Sequence, residues 1–548
     1  PMELFLKMPT ALAWPMATQR YNWAFQVDPE PALGGRVVSC PRGKGLGGSS
    51  SINGMVYVRG HAATFDEWHQ MGAVGWSYRQ VLPYFIKAES WEGPPSPYRG
   101  TDGPIHVKNG DNAAQTPLFD LFNQAGAEAG YGFTDDYNAG RQEGFGPFAM
   151  SIFHSGPNKG ARCSTATAYL HPALEQHGHI LNVETNAMTK RVLFETENRS
   201  DGPPRAIGVE YVHGSNPELI QRLYANKEVI VCAGSIQSPQ LLQVSGIGDR
   251  DHLSSIGLSE EEILVDNPHV GQNLQDHLEI YFQQEVIPPI SIVPVMQSYW
   301  RQFLVGLEWV WNRTGLGATN HMESVAFVRS APDKKFPDVQ FHFLPIGISY
   351  DGVTLAPSST GHSLQVHVGT GCSKSRGYVK AKSRNALKAP QIRFNYMSHE
   401  EDWADMRNAI GIARQVMRQP ALKGIVGQEI SPGKDADLDE CIREHVESAY
   451  HPCGTCKMGR NIEEDRAVVD PSGRVLGVDG LRVVDASVFP VITNGNLNAP
   501  VIMVAERVCD MILGKELLKP IDNLLEGDRE PWVPPSFEAD REREPLVA

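Results

Sequence analysis

The sequence predicts an α/β protein of two interleaved domains. One is nucleotide-type, built on a Rossmann-like parallel sheet; the other, with an antiparallel sheet and helices, is inserted between its pieces. Three observations predict this. "KEVIVCAG" (residues 227–234) runs straight into "SIQSPQLLQVSGIG" (235–248): a β-branched strand, a glycine turn and a helix, which is one βα step of a parallel sheet. A middle block, "DVQFHFLPIG" (338–347), "SLQVHVGTG" (363–371) and "GYVKAKS" (377–383), alternates apolar and polar residues as a half-exposed antiparallel sheet does. From Leu481 the α/β character returns, with "LRVVDASVFP" as a buried strand and "APVIMVAERVCDMILG" as a helix ended by Gly514.

Other elements fit the same plan. "HILNVETNA" (179–187) and "AIGVEYVHG" (206–214) read as short strands, and "EEDWADMRNAIGIARQVMRQ" (400–419) as an amphipathic helix. The stretch "EGDREPWVPPSFEADREREPLVA" is dense in charge and proline and is expected to be disordered. The 548 residues suffice for two or three cores, and 41% hydrophobic with 21% charged content is ordinary for a soluble globular chain. A formal net charge of −15 opposes binding to nucleic acid or to an anionic membrane. No run of 18 apolar residues occurs, so no spanning helix is expected. The opening "PMELFLKMPT" has neither an initiator Met nor a signal pattern, and is expected to belong to a fragment or a processed chain.

Eight cysteines are scattered along the chain, which favours reduced thiols in an intracellular protein over a disulfide scaffold. "AYHPCGTCKMG" (449–459) places His451, Cys453 and Cys456 within six positions. A zinc site needs about four ligands, and no second pair lies nearby. A thioredoxin-like pair sits early in a small domain, and c-type haem needs the order C-x-x-C-H. The two cysteines therefore read as small buried hydrophobes, and no metal site is expected.

"GKGLGGSSSINGMVYVRG" (43–60) packs four glycines and three serines into nine positions. Such a stretch builds no core. It lets the backbone approach a ligand, and its successive N–H groups can cradle an anion. A mobile linker is the alternative, but "INGMVYVRG" resumes an apolar pattern at once.

These stretches resemble the two signatures of the glucose–methanol–choline (GMC) oxidoreductases: "GKGLGGSSSINGMVYVRGHAATFD" the first, "GSIQSPQLLQVSGIG" the second. "HPCGTCKMG", "VVDASVFP" and "NGNLNAP" follow in the family's order. "RYNW", "SPYRGTDGP", "VGQNLQDHLEIYFQQ", "GLGATNHMES" and "SAYHPCGTCKMG" are similar to its choline-oxidising branch. The resemblance implies bound FAD and alcohol oxidation by hydride transfer to the flavin. It places Gly47, Gly48, Ser49 and Ser50 along the cofactor, and Asn53, Gly54, Met55 and Val56 beside its ring. Thr189, Ala233 and Gly234 fall at the adenosine end, and Asp485 and Ala486 at the ribityl–phosphate region. His451 matches the active-site histidine, suited to proton transfer by a pKa near working pH. Asn496 matches the second active-site position and can hydrogen-bond the developing alkoxide. Glu323 is the candidate for a quaternary ammonium, in the domain that faces the substrate.

Implied domain boundaries are 1–60, 161–275 and 441–518 for segments of the FAD-binding domain, 61–160 for a lid and connecting segment, 276–440 for the substrate domain, and 519–548 for the tail. Two features depart from the family. Ile52 stands where some members carry the histidine that attaches FAD, so binding is expected to be non-covalent. The strand, G-x-G-x-x-G turn and helix that open the family's fold are not found before Gly43, so a first βαβ unit is expected to be missing and FAD to be held weakly. The expected activity is oxidation of choline to betaine aldehyde, with electrons passed to a respiratory acceptor such as a quinone. A mitochondrial location follows from resemblance alone, and peripheral membrane association stays open. The alternatives are another GMC alcohol dehydrogenase or oxidase, and an inactive fragment without FAD.

Overall fold

The computed structural model describes residues 2–195, 202–214, 216–352 and 354–522; the charged stretch read as disordered lies outside the described residues. In chain order, the elements that position the site begin with helix α1 (Leu118–Glu128) and strand β1 (Gly144–Pro147). Strand β2 (Val229–Val231) and helix α2 (Gly234–Val244) follow, then strands β3 (Leu278–Val286), β4 (Ser324–Val328), β5 (Val339–Leu344) and β6 (Ser363–Thr370). Helix α3 (Glu400–Met417), strand β7 (Val426–Ser431), strand β8 (Leu481–Val483) and helix α4 (Asn498–Ile512) complete the set.

The predicted βα step is present: β2 ends at the glycine that opens α2, and β2 pairs in parallel with β8, Val229 opposite Leu481 and Val231 opposite Val483. Chain segments 252 positions apart thus share one layer, as interleaved domains require. Among the described residues this parallel sheet holds only two strands, and Ile230 is 43% exposed.

The antiparallel sheet has the spatial order β7–β3–β6–β5–β4–β1, with Glu447–Ser448 also paired to β3. Its register follows the alternation seen in the sequence. Leu278, Ile280 and Phe282 of β3, Phe341 and Phe343 of β5, and Leu364, Val366 and Val368 of β6 are fully buried and join α1 and α3 in one core cluster. Glu279, Tyr281, His342 and His367 point the other way, as a period of two dictates. That second face was expected to be half exposed. It is instead turned inward, as the wall of a cleft, and is itself largely buried. "GYVKAKS" is a strand, but in a separate three-stranded sheet with Gln272–Leu274 and Gln391–Arg393.

The strand expected at 179–187 forms later, at Ala187–Phe194, paired with Ala206–His213. β-Branched residues alone do not make a strand; the backbone needs a neighbour to take its hydrogen bonds. No ladder among the described residues reaches 179–186, and Ile180 is 73% exposed.

Candidate active site

The glycine-rich stretch is an ordered turn, not a linker. A 3-10 turn spans Gly48–Ser51. Gly43 lies so near it that a Cβ would meet the Gly48 carbonyl oxygen at 2.2 Å, an approach open only to glycine. The Gly43 N–H donates to Ser49 Oγ at 3.1 Å, and the Ser50 hydroxyl to the Gly47 carbonyl at 2.6 Å. Buried Arg162 donates to the backbone and side-chain oxygens of Asn53 at 2.6 and 2.8 Å. Gly234, at φ +79°, donates its N–H to Asp485 at 2.8 Å, and Ser238 donates to the same carboxylate oxygen at 2.6 Å.

Both turns open onto one cleft of about 1370 Å³. That exceeds the roughly 300–1,000 Å³ of an ordinary small-molecule site. Every residue assigned to the cofactor from the sequence, from Gly47 to Val56 and from Thr189 through Gly234 to Ala486, lines it, as do His451 and Asn496. Cβ-free backbone at Gly48 and Gly234 faces open space there. These residues fit an extended dinucleotide such as FAD.

In the lining of the cleft the hydrogen bonds fix the state of His451. His277 Nε2 faces the Gly371 carbonyl at 3.2 Å, which only accepts, so that nitrogen carries the proton. Burial pushes the His277 pKa down to about 4, so its ring is neutral and Nδ1 is an acceptor. His451 Nδ1 lies 3.0 Å from it and must donate. His451 Nε2 is then an unprotonated acceptor, 3.1 Å from the Asn496 amide, whose oxygen accepts from Gln340 at 3.1 Å. Burial, then His277, Arg42 and His342, hold the His451 pKa well below the usual histidine value. The Asp276 carboxylate accepts the His451 backbone N–H at 2.7 Å and anchors the segment. The arrangement is a neutral base whose lone pair accepts from the Asn496 amide, both residues lining the large cavity.

The cleft is also lined by Glu279, by the stacked rings of Tyr281 and Tyr350 (centroids 3.9 Å apart) and by His367. Burial pushes the Glu279 carboxyl up, but His367, His342 and His277 outweigh it, and the net shift is downward: the group is an anion at neutral pH. Glu323, the residue picked from the sequence for this task, is not brought to the cleft. Its carboxylate accepts from the Asn112 N–H at 2.6 Å and the Thr319 hydroxyl at 2.7 Å, and ties two loops together. Sequence reasoning missed Glu279, although it lies inside "VGQNLQDHLEIYFQQ". An acid between Leu278 and Ile280 on a strand with two-residue alternation was the available signal.

Cys453 and Cys456 are fully buried with thiols pushed well above their usual range by burial, and neither lines the cleft. Replacing either by Ala should leave turnover by the flavin-loaded enzyme within a few-fold and lower its melting temperature, the signature of lost packing; abolished turnover with unchanged melting would restore a thiol role.

The sequence profile of the GMC oxidoreductases matches residues 19–279 with its N-terminal part and 373–505 with its C-terminal part. The chain belongs to this family, and is an FAD-dependent oxidoreductase with FAD-binding and substrate domains. It is 48% identical to an oxygen-dependent choline dehydrogenase of Rhizobium rhizogenes over 97% of this chain and 92% of the relative, and equally so to one of Sinorhizobium medicae. Among solved structures, a formate oxidase of Aspergillus oryzae, studied for FAD modification, superposes with a TM-score of 0.82 at 25% identity over 93% of this chain and 91% of its own. These relatives correct one expectation: they are bacterial choline dehydrogenases, and the mitochondrial location is overturned. The chain covers 92% of each of these two relatives' own length.

Among the described residues no helix is long and apolar enough to cross a membrane.

Proposed function

We propose that the protein oxidises choline to betaine aldehyde. The observation that carries this is the anionic carboxylate of Glu279, enclosed beside Tyr281 and Tyr350 in the same cleft as the His451 base. A quaternary ammonium offers no hydrogen-bond donor, so a site must hold it by charge and ring faces. The names of the bacterial relatives support the same substrate.

In this reading residues 47–56, Ala233, Gly234, Asp485 and Ala486 hold FAD, with Thr189 at the adenosine end. When bound, FAD would supply the two-electron acceptor for the alcohol carbon. The chain's own part is as follows. Glu279 and the tyrosine rings hold the cation at one end. The Asn496 amide orients the hydroxyl and hydrogen-bonds its oxygen as negative charge develops. His451 Nε2 takes the hydroxyl proton, and its Nδ1–H, bonded to His277, can pass charge away from the reacting oxygen. The inward-facing β3, β5 and β6 wall keeps water from the reacting end.

FAD binding is non-covalent in this proposal, since Ile52 offers no nucleophile. Acid denaturation should release all flavin into the supernatant; flavin remaining on the precipitate would overturn it. The electron acceptor has two readings: a respiratory acceptor such as a quinone, expected from the sequence, and oxygen, stated in the relatives' names. The deciding experiment measures betaine aldehyde formed from choline by the purified protein, with oxygen uptake and dye reduction recorded in parallel. Flavin content near one per chain would also overturn the expectation of weak holding. No turnover of choline, with turnover of another alcohol, would favour a different GMC alcohol oxidoreductase.

A further inference from the structure

Glu279, His342 and His367 bring ligand-type atoms within 4.8 Å of one another, all buried. Two histidines and a carboxylate are a known metal set, yet the hydrogen bonds around His367 exclude its Nδ1 from that role. Gln365 Oε1 accepts from Gln283 Nε2 at 2.7 Å and from the Ile348 N–H at 2.9 Å, which fixes the orientation of the Gln365 amide. Its NH₂ group therefore faces His367 Nε2, at 2.8 Å, and that nitrogen accepts. The proton of a neutral His367 is then on Nδ1, 3.1 Å from Glu279 Oε1, and the ring donates to the carboxylate instead of offering a lone pair.

The register explains why these groups meet. Tyr281 of β3 lies opposite His367 of β6, and Gln283 opposite Gln365; His342 of β5 lies opposite His367 on the other side. All of them share the cleft-facing side of the sheet. The Tyr281 ring stacks on His367 with centroids 4.1 Å apart, which holds the imidazole plane in place.

We propose that His367, oriented by Gln365, is a positioning residue that keeps the Glu279 carboxylate ionised and aimed into the cleft, and so sets the preference for a cationic over a neutral alcohol. The inference rests on the choline reading above and adds to it the residue on which its charge recognition depends. The groups facing Glu279 are His277 just before its strand, His342 and His367 from β5 and β6, Tyr281 and Tyr350, and, from the 447–450 segment, Tyr450 and Glu447, the last paired to Arg36. Among them only His367 is in hydrogen-bond contact with the carboxylate. Without that donor, burial governs, and the carboxyl pKa must climb.

The test uses flavin-loaded protein and two substrates of equal shape, choline and uncharged 3,3-dimethylbutan-1-ol. His367→Leu removes the donor; His367→Asn places an amide N–H where Nδ1–H stood. For choline, His367→Leu should raise KM tenfold or more and move the acid limb of kcat/KM upward by about one pH unit. The sign follows from linkage: cation capture needs the anion, and a raised pKa demands a higher pH to form it. For the neutral alcohol KM and the limb should stay, and His367→Asn should restore most of the choline preference. Equal losses on both substrates, an unmoved limb, or an Asn variant as impaired as Leu would each overturn the proposal. A wild-type enzyme with no preference for choline would instead sink the choline reading itself, which keeps the two failures distinct.

Discussion

Glu279→Gln should lower kcat/KM for choline by about 30- to 4,000-fold while leaving 3,3-dimethylbutan-1-ol nearly unaffected. The range corresponds to the ~2–5 kcal/mol lost when one partner of a buried charge pair is removed, at tenfold per 1.4 kcal/mol. β3 sends Leu278, Ile280 and Phe282 into the core and Glu279 and Tyr281 into the cleft. The carboxylate is almost fully buried, so its field is poorly screened and worth far more than at a surface. Gln keeps the size and can still accept the His367 N–H through its amide oxygen, so the sheet should hold its register. Only the charge leaves. Steady-state kinetics on both alcohols measure the difference. Equal falls would place Glu279 in packing and not in recognition. The companion variant Glu323→Gln should affect both substrates alike, because that carboxylate ties the Asn112 and Thr319 loops and does not face the cleft.

The contrast between Glu279 and Glu323 shows where the sequence was legible. Period-two alternation identified β5 and β6, and strand–glycine–helix order identified β2 and α2, because each is a local pattern with a local cause. The glycine turns could be placed at a ligand because four glycines in nine positions have no other economical role. Glu323 lies in a family-like motif, but its side chain turns to the Asn112 and Thr319 loops. Which face of a sheet turns to a cleft and which to a core is decided by the helices α1 and α3 that cover the other side, far away in sequence. The strand misplaced at 179–187 failed for the same reason: propensity is local, pairing is not. His277 and His367 act through tautomers that only the partners Gly371 and Gln365 specify, and no spacing along the chain announces them.

His451→Ala should slow flavin reduction by substrate about 10²–10⁴-fold, the span of a positioned general base, with flavin content unchanged. The residue is well placed for both halves of that statement. Its Nε2 is the unprotonated acceptor, facing the Asn496 amide, at the end of a hydrogen-bond chain that begins at the Gly371 carbonyl, so removing it removes the base. The turns at residues 47–56 and at Gly234 make their hydrogen bonds without it, so cofactor binding should survive. The pH dependence gives a second readout. Burial and neighbouring His277, Arg42 and His342 depress the His451 pKa well below the usual histidine value of 6.5, so the neutral base is populated at all pH values above that depressed pKa. For the uncharged alcohol, on which Glu279 has no bearing, kcat/KM in wild-type enzyme should therefore stay level as pH falls from neutrality through 6.5, and decline only in more acidic solution. His277→Ala removes the acceptor that holds the His451 proton on Nδ1, so it should slow flavin reduction by the uncharged alcohol without loss of flavin. Stopped-flow flavin reduction across pH measures all three proteins. If His451→Ala reduces its flavin at the wild-type rate, or if the wild-type profile already breaks near 6.5, the proton goes elsewhere and His451 is only part of the wall.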